Sequence, residues 1–164
     1  MRTSARGIYS GFTLIELLVV LGIMAVVAAA VTVVALPGDQ GRARAEARRL
    51  AALLESAMRE ARASGQAIAW SADREHYSFW QRGEDGDWVT YPPQSVYRPR
   101  ALAEPIALAA VLVDGRELAR GERVVFAPQG LRRRVSATVA GTDAWFSIEG
   151  DLIGRVTLER VHAH

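Results

Sequence analysis

The chain has 164 residues, half of them hydrophobic, and its 20 basic residues, all arginine, outnumber its 18 acidic residues by two. The absence of cysteine excludes disulfide frameworks, thiolate nucleophiles, iron–sulfur clusters and cysteine-based zinc sites. A net charge of +2, spread along the chain, is too small to indicate nucleic acid or an anionic membrane as the main partner. The length allows one domain and an appendage.

One long apolar segment dominates the N-terminal part of the chain. From Phe12 to Leu36, 21 of 25 residues are apolar, and Glu16 is the only charged residue. A helix of about 20 apolar residues is long enough to cross the hydrocarbon core of a bilayer. We therefore expect a transmembrane helix over residues 12–36.

The charges around this segment predict its orientation. Arg2 and Arg6 precede it with no acidic residue, so the positive-inside rule places the N-terminus in the cytoplasm and residues 37–164 across the membrane. The alternative is a secretory signal peptide cleaved after the three alanines at 28–30. The apolar core of a signal peptide is about 7 to 15 residues long and uncharged, which favours the anchor here.

Glu16 is the anomalous residue of the segment. An acid at the centre of a membrane helix costs about 2.5 to 3.5 kcal/mol on insertion scales, so such a residue is by default functional and needs a partner. The alternative is that Glu16 lies near enough to the cytoplasmic face to reach water.

Residues 11–20, with the sequence GFTLIELLVV, resemble the type IV prepilin motif. In that family a membrane prepilin peptidase cuts after the glycine and methylates the new N-terminal phenylalanine. The resemblance implies a leader peptide over residues 1–11, cleavage between Gly11 and Phe12, and N-methylation of Phe12. It also implies that Glu16 pairs with the N-terminal ammonium of a neighbouring subunit. Because a paired acid is less costly in lipid than a lone one, this contact would favour assembly.

The next element is an amphipathic helix predicted over residues 43–64. Small and apolar residues follow the i, i+3, i+4 spacing of one helical face, and Ser64 and Gly65 end the pattern. Its arginines also allow a membrane-surface helix, but interleaved glutamates and many alanines favour a helix packed on a sheet.

After Gly65 the helical period gives way to short strand-like runs separated by turn residues. No run is suited to a helical crossover between parallel strands. The fold class is therefore predicted to be α+β, with one long N-terminal helix packed on antiparallel sheet. The predicted strands cover residues 66–71, 76–82, 88–91, 106–113, 123–126, 135–139, 145–148 and 155–161.

The later strands carry a second resemblance. Leu102, the strand from Ile106, the FAPQG sequence at 126–130 and the GRV sequence at 154–156 resemble the soluble domain of the general secretion pathway protein H family. Members of that family are minor pseudopilins of the type II secretion system. The resemblance implies a pilin-like fold and a structural role in the periplasmic pseudopilus, which helps to export folded proteins across the outer membrane.

The same resemblance implies the surroundings of the protein. Expected partners are other major and minor pseudopilins, the prepilin peptidase, inner-membrane lipid and, as a further option, secretion substrates. The expected location is the bacterial inner membrane, with a single pass and a periplasmic domain over residues 37–164. The alternative is a minor type IV pilin involved in pilus assembly or DNA uptake.

No catalytic constellation is found in the sequence. The three histidines are His76, in a predicted strand, and His162 and His164, at the end of the chain, so a hydrolase triad has no centre. The acidic loop at 83–87 is a conceivable calcium ligand set, but such hairpin loops are usually only solvated. An enzyme merely tethered to the membrane has no supporting residues. We expect no enzyme activity, no cofactor and no metal.

Arg132, Arg133 and Arg134 form the only uninterrupted basic triplet. They are candidates for contact with DNA or with a protein partner. No aromatic residue interrupts the triplet and the soluble part is nearly neutral. We therefore expect a solvated strand edge or a contact with an acidic neighbour rather than with nucleic acid. The four tryptophans, at positions 70, 80, 88 and 145, are expected in the sheet core or at an interface.

Overall fold

The computed structural model describes residues 13–35, 38–129, 134–151 and 154–161, and for residues 29–35 it describes the backbone alone. The chain divides into two compact units, Met1–Pro37 and Gly38–His164.

The first unit contains helix α1, Leu14–Ala35. Thr13 precedes it as a cap, because its backbone oxygen and its hydroxyl both accept the N–H of Glu16, at 3.1 and 3.3 Å. The helix has no amphipathic face: apolar side chains occupy all sides of its described turns. Among the described residues, no helix has the length and hydropathy of a membrane span.

The second unit begins with helix α2, Asp39–Ser64. It ends at Gly65, whose φ of 71° lies in the left-handed region that glycine adopts without steric cost. The predicted start at residue 43 is four residues late, because the apolar face begins only at Ala43. The first turn is held instead by polar contacts: Asp39 pairs with Arg42 and accepts the Thr142 hydroxyl at 3.2 Å. The buried stripe of α2 comprises Ala43, Ala47, Leu50, Leu54, Ala57, Met58 and Ala61.

Among the described residues, ten strands form two antiparallel five-stranded sheets. The strands are β1 Ile68–Ala72, β2 His76–Arg82, β3 Trp88–Thr90, β4 Arg100–Ala101, β5 Ala107–Val113, β6 Arg116–Glu117, β7 Val124–Phe126, β8 Val135–Ala140, β9 Trp145–Gly150 and β10 Val156–Val161. In sheet A the order is β3, β2, β1, β7, with β4 paired to β2; in sheet B it is β10, β9, β8, β5, β6. The α+β prediction is therefore confirmed.

Helix α2 packs against strands of both sheets, namely β1 and β7 of sheet A and β8, β9 and β10 of sheet B. The alternation of buried and exposed positions is clearest in β8, where every second residue is buried. The core therefore lies between the helix and the two sheets, and Trp70, Tyr77 and Phe79 supply its largest side chains from β1 and β2. This arrangement confirms that the amphipathic helix lies on a sheet.

Two strands were not predicted. β4 and β6 have two residues each, and a run that short shows no period in a sequence. β4 pairs with the first residues of β2. β2 has its predicted bounds, and the remaining strands differ from prediction by one or two residues at their ends, as element boundaries commonly do.

Candidate functional site

The apolar side chains of α1 are the first candidate surface. Those described as large and hydrophobic are all exposed, from 45% at Val20 to 80% at Leu14. A helix that is apolar on every side is normally buried in a protein interior or in lipid. The exposed apolar surface of α1 is therefore the first candidate for contact with lipid or with other helices.

Glu16 is the single charge of that surface. It lies in the first turn of α1, where the positive end of the helix dipole favours an acidic residue. Its side chain is exposed and has no ion-pair partner within the described chain. Gly11 and Phe12, the predicted cleavage and methylation positions, lie outside the described residues.

The basic triplet is only partly described. Arg134 is exposed, and its N–H donates to the Asp114 carboxylate at 2.8 Å, while the Asp114 N–H donates to the Arg134 carbonyl at 2.9 Å. These bonds fix the start of β8 beside the turn between β5 and β6. Arg132 and Arg133 lie outside the described residues, so their contact with a partner stays a prediction.

The tryptophans divide between core and surface. Trp70 is fully buried. Trp80 is half-buried on the opposite face of sheet A, where its indole N–H donates to the Ser71 hydroxyl at 2.8 Å. The Arg123 guanidinium carbon lies 4.2 Å from the centroid of the Trp80 ring, a cation–π contact. A second cation–π contact joins β2 to β3, where the Arg82 guanidinium carbon lies 4.2 Å from the centroid of the Trp88 ring.

A partly buried polar contact joins α2 to sheet A. The Tyr77 hydroxyl donates to the Glu46 carboxylate at 2.9 Å, and Arg49 donates to the other oxygen of the same carboxylate at 2.6 Å. Burial and the nearby negative charge of Glu46 raise the pKa of Tyr77 above its usual range. The contact therefore keeps the phenol neutral and joins a helix residue to a sheet residue.

The turn between β1 and β2 is held by Asp73. Its carboxylate accepts the N–H groups of Glu75 at 2.9 Å and of His76 at 2.7 Å. The hydrogen bond from Glu75 lowers the pKa of Asp73, and that from His76 adds to the effect. Within the described parts of the chain, no three His, Asp or Glu side chains are grouped as metal ligands.

The comparisons with known proteins match both parts of the sequence. Residues 8–32 match the prokaryotic N-terminal methylation motif. Residues 46–157 match the type II transport protein GspH family. The second match covers more than half of the chain and includes α2 from residue 46 onward and most of both sheets. This chain belongs to the type II transport protein GspH family.

Two solved structures share the fold. One is the minor pseudopilin EpsH from the type 2 secretion system of Vibrio cholerae, with a TM-score of 0.52 and 19% identity, covering 74% of this chain and 97% of that one. A second structure of EpsH has a TM-score of 0.55 and 17% identity, covering 77% of this chain and 98% of that one. A search of curated proteins finds no match.

The family assignment confirms the function expected from the sequence, a minor pseudopilin of the type II secretion system, and does not favour the type IV pilin alternative. Family members are structural subunits of the periplasmic pseudopilus, which implies assembly with other pseudopilins. The methylation motif supports anchoring in the membrane and processing of the prepilin type.

Proposed function

We propose that this GspH-family chain is anchored in the inner membrane by residues 12–36 and assembles through α1 with other pseudopilins. In this account the prepilin peptidase cuts between Gly11 and Phe12 and methylates Phe12. The Glu16 carboxylate then pairs with the N-terminal ammonium of a neighbouring subunit. The domain over residues 37–164 lies in the periplasm, where it contacts neighbouring subunits and, as the filament extends, secreted cargo.

The exposed apolar surface of α1 and its single acid, Glu16, support the proposal most directly. Its described side chains are apolar on all sides and exposed, and the Glu16 carboxylate in its first turn forms no ion pair with another described residue. Lipid and neighbouring helices would cover the apolar surface, while a neighbouring N-terminal ammonium would neutralise the acid. Because a lone carboxylate is costly in hydrocarbon, this pairing would draw subunits out of free diffusion and into a filament.

The processing step is tested by mass spectrometry of the membrane-bound protein. We expect an N-terminus at Phe12 that carries one methyl group. Replacing Gly11 with leucine should leave the leader attached, because the peptidase would then meet a bulky side chain at the cut. Gly7→Leu, a change to the other leader glycine, is the matched control and should be processed normally. An N-terminus at Val31, after the three alanines, would instead identify a secreted soluble protein.

DNA binding by the basic triplet, Arg132 to Arg134, distinguishes a role in DNA uptake from the proposed role in secretion. We expect the purified protein to bind duplex DNA weakly and to lose that binding by physiological salt, because the domain is nearly neutral overall. Binding is measured by fluorescence anisotropy over a salt series. Submicromolar, salt-tolerant binding that disappears when Arg132, Arg133 and Arg134 are replaced by glutamine would contradict the secretion account.

A further inference from the structure

A groove lined by three arginines lies between α2 and β10, within the unit Gly38–His164. Its volume is about 490 Å³, within the range of about 300 to 1,000 Å³ that is common for binding sites. Its lining contains no acidic residue. We call it the basic groove; its lining residues are Gln40, Arg44, Arg48, Phe146, Leu158 and Arg160.

The helix supplies one wall of the basic groove. Gln40, Arg44 and Arg48 are spaced four residues apart, so they form a stripe along one side of α2. At about 1.5 Å of rise per residue, the attachment points of Arg44 and Arg48 lie about 6 Å apart along the helix axis.

Sheet B supplies the opposite wall and the floor. Arg160 in β10 is directly opposite Phe146 in β9, so the two side chains lie on the same face of the sheet. Leu158 lies two residues before Arg160 and shares that face. Phe146 is buried and Leu158 is half-buried, which gives the groove an apolar floor beneath its charged walls.

The three arginines of the basic groove differ in their ion pairing from three other arginines that lie on α2. Arg42, Arg49 and Arg59 each pair with a carboxylate on the same helix. In contrast, Arg44, Arg48 and Arg160 form no ion pair and no side-chain hydrogen bond within the described chain, and all three are exposed. Cations that share a concave surface create a positive potential that concentrates anions.

The geometry points to a specific kind of anion. We propose that the basic groove binds an extended acidic segment of a partner polypeptide, with carboxylates at alternating positions. Side chains on one face of an extended chain repeat about every 6.6 to 6.8 Å, which matches the spacing of about 6 Å between Arg44 and Arg48. Guanidinium groups bind carboxylates through paired hydrogen bonds, and the segment's main chain would cover Phe146 and Leu158.

The edge of sheet B adds a second means of binding. β10 is the last strand of that sheet, and in the described part of the chain no strand pairs with its outer side. Its free backbone groups can hydrogen-bond to an extended segment that lies beside it. A free phosphate or a lipid headgroup would use neither this edge nor the apolar floor. Peptide binding at this surface does not depend on cleavage at Gly11 or on Glu16, so it can fail without affecting the proposed function.

The test uses the full chain in non-ionic detergent and two fluorescent hexapeptides of identical composition. In the alternating probe, Glu-Thr-Glu-Thr-Glu-Thr, the carboxylates share one face of an extended chain. In the blocked probe, Glu-Glu-Glu-Thr-Thr-Thr, they are adjacent. At physiological salt we expect anisotropy to show at least fivefold tighter binding of the alternating probe. Replacing the three arginines of the basic groove with glutamine should weaken that binding at least tenfold.

A second triple variant controls for total charge. Arg74, Arg120 and Arg155 are also exposed, lie outside the basic groove and can be replaced by glutamine together. This variant should change the affinity for the alternating probe less than twofold. Equal loss in both triple variants would overturn the proposal, as would equal affinity for the two probes. The proposal is also overturned if phosphatidylglycerol vesicles or inorganic phosphate bind through the three arginines of the basic groove while the alternating probe does not bind.

Discussion

At the scale of single residues, the contact between Tyr77 and Glu46 joins α2 to sheet A. Tyr77 is buried, its hydroxyl donates to the carboxylate, and Arg49 holds the same carboxylate from one helical turn further on. A phenol in this position is neutral because ionisation would place a negative charge in a low-dielectric site beside another negative charge. Because the pKa of Tyr77 is raised, the phenol ionises only in the alkaline range.

Tyr77→Phe is expected to lower the free energy of unfolding by about 1 kcal/mol at pH 7, because the ring stays but the hydrogen bond is lost. The folded pKa of Tyr77 is raised, so its contribution is fully present below the unfolded pKa of about 10 and declines as pH rises above it. Urea denaturation of residues 38–164 between pH 7 and 11 measures both effects. The two proteins should converge above pH 10, whereas parallel curves would contradict the assigned protonation state.

At the scale of elements, α2 provides the surface on which the second unit is built. Its seven buried residues follow the helical period, and every residue of the hydrophobic core belongs to the unit Gly38–His164. Leu50 is 1% exposed in the middle of this stripe, while Leu53, one turn along, is only partly buried. The two leucines therefore provide a matched pair for measuring how much the helix packing contributes.

Leu50→Ala should lower the free energy of unfolding of residues 38–164 by about 2 to 5 kcal/mol, because it leaves a cavity between helix and sheet. Leu53→Ala is the control and should cost less than half as much. Urea denaturation gives both values, and an unchanged m-value would show that the denatured state is the same. Equal losses for the two variants would mean that α2 does not pack through the face described here.

The same elements show how far the sequence predicts the fold. β2 was predicted at its observed bounds, since it is a short run rich in aromatic residues with turn residues on both sides. The start of α2 was missed because its first turn is held by Asp39 and Thr142, which are distant in the chain. β4 and β6 were missed because pairing with a neighbouring strand, not local pattern, defines them.

The candidate functional surfaces also differ in how far they can be recognised from the sequence. The processing motif and Glu16 are contiguous in sequence, so they could be identified by reading residues 11–20 alone. The basic groove could not, because Arg160 meets Arg44 and Arg48 only after the sheet has formed. In sequence, the helix arginines are indistinguishable from an ordinary solvated face. The one available signal was their spacing of four residues, which also fits a solvent-exposed stripe.

At the scale of the whole molecule, the two units have different proposed roles. The unit Met1–Pro37 contains the methylation motif and an apolar helix with one acid, while the unit Gly38–His164 contains the GspH-family domain. In the proposed account the first unit anchors the subunit and builds the filament core, and the second presents surfaces to the periplasm. Assembly should therefore be separable from folding, because a change in α1 leaves the core of the second unit intact.

Photocrosslinking from α1 tests this account most directly. A photoreactive residue replaces Val20, an exposed position one helical turn beyond Glu16, in cells that carry the native secretion system. The processed protein should crosslink to other pseudopilins of that system. Glu16→Ala should reduce the yield at least fivefold, with insertion and cleavage unchanged, and Glu16→Asp should retain part of it because the charge remains. Equal yields for wild type and Glu16→Ala, or crosslinks only to type IV pilus subunits, would contradict the account.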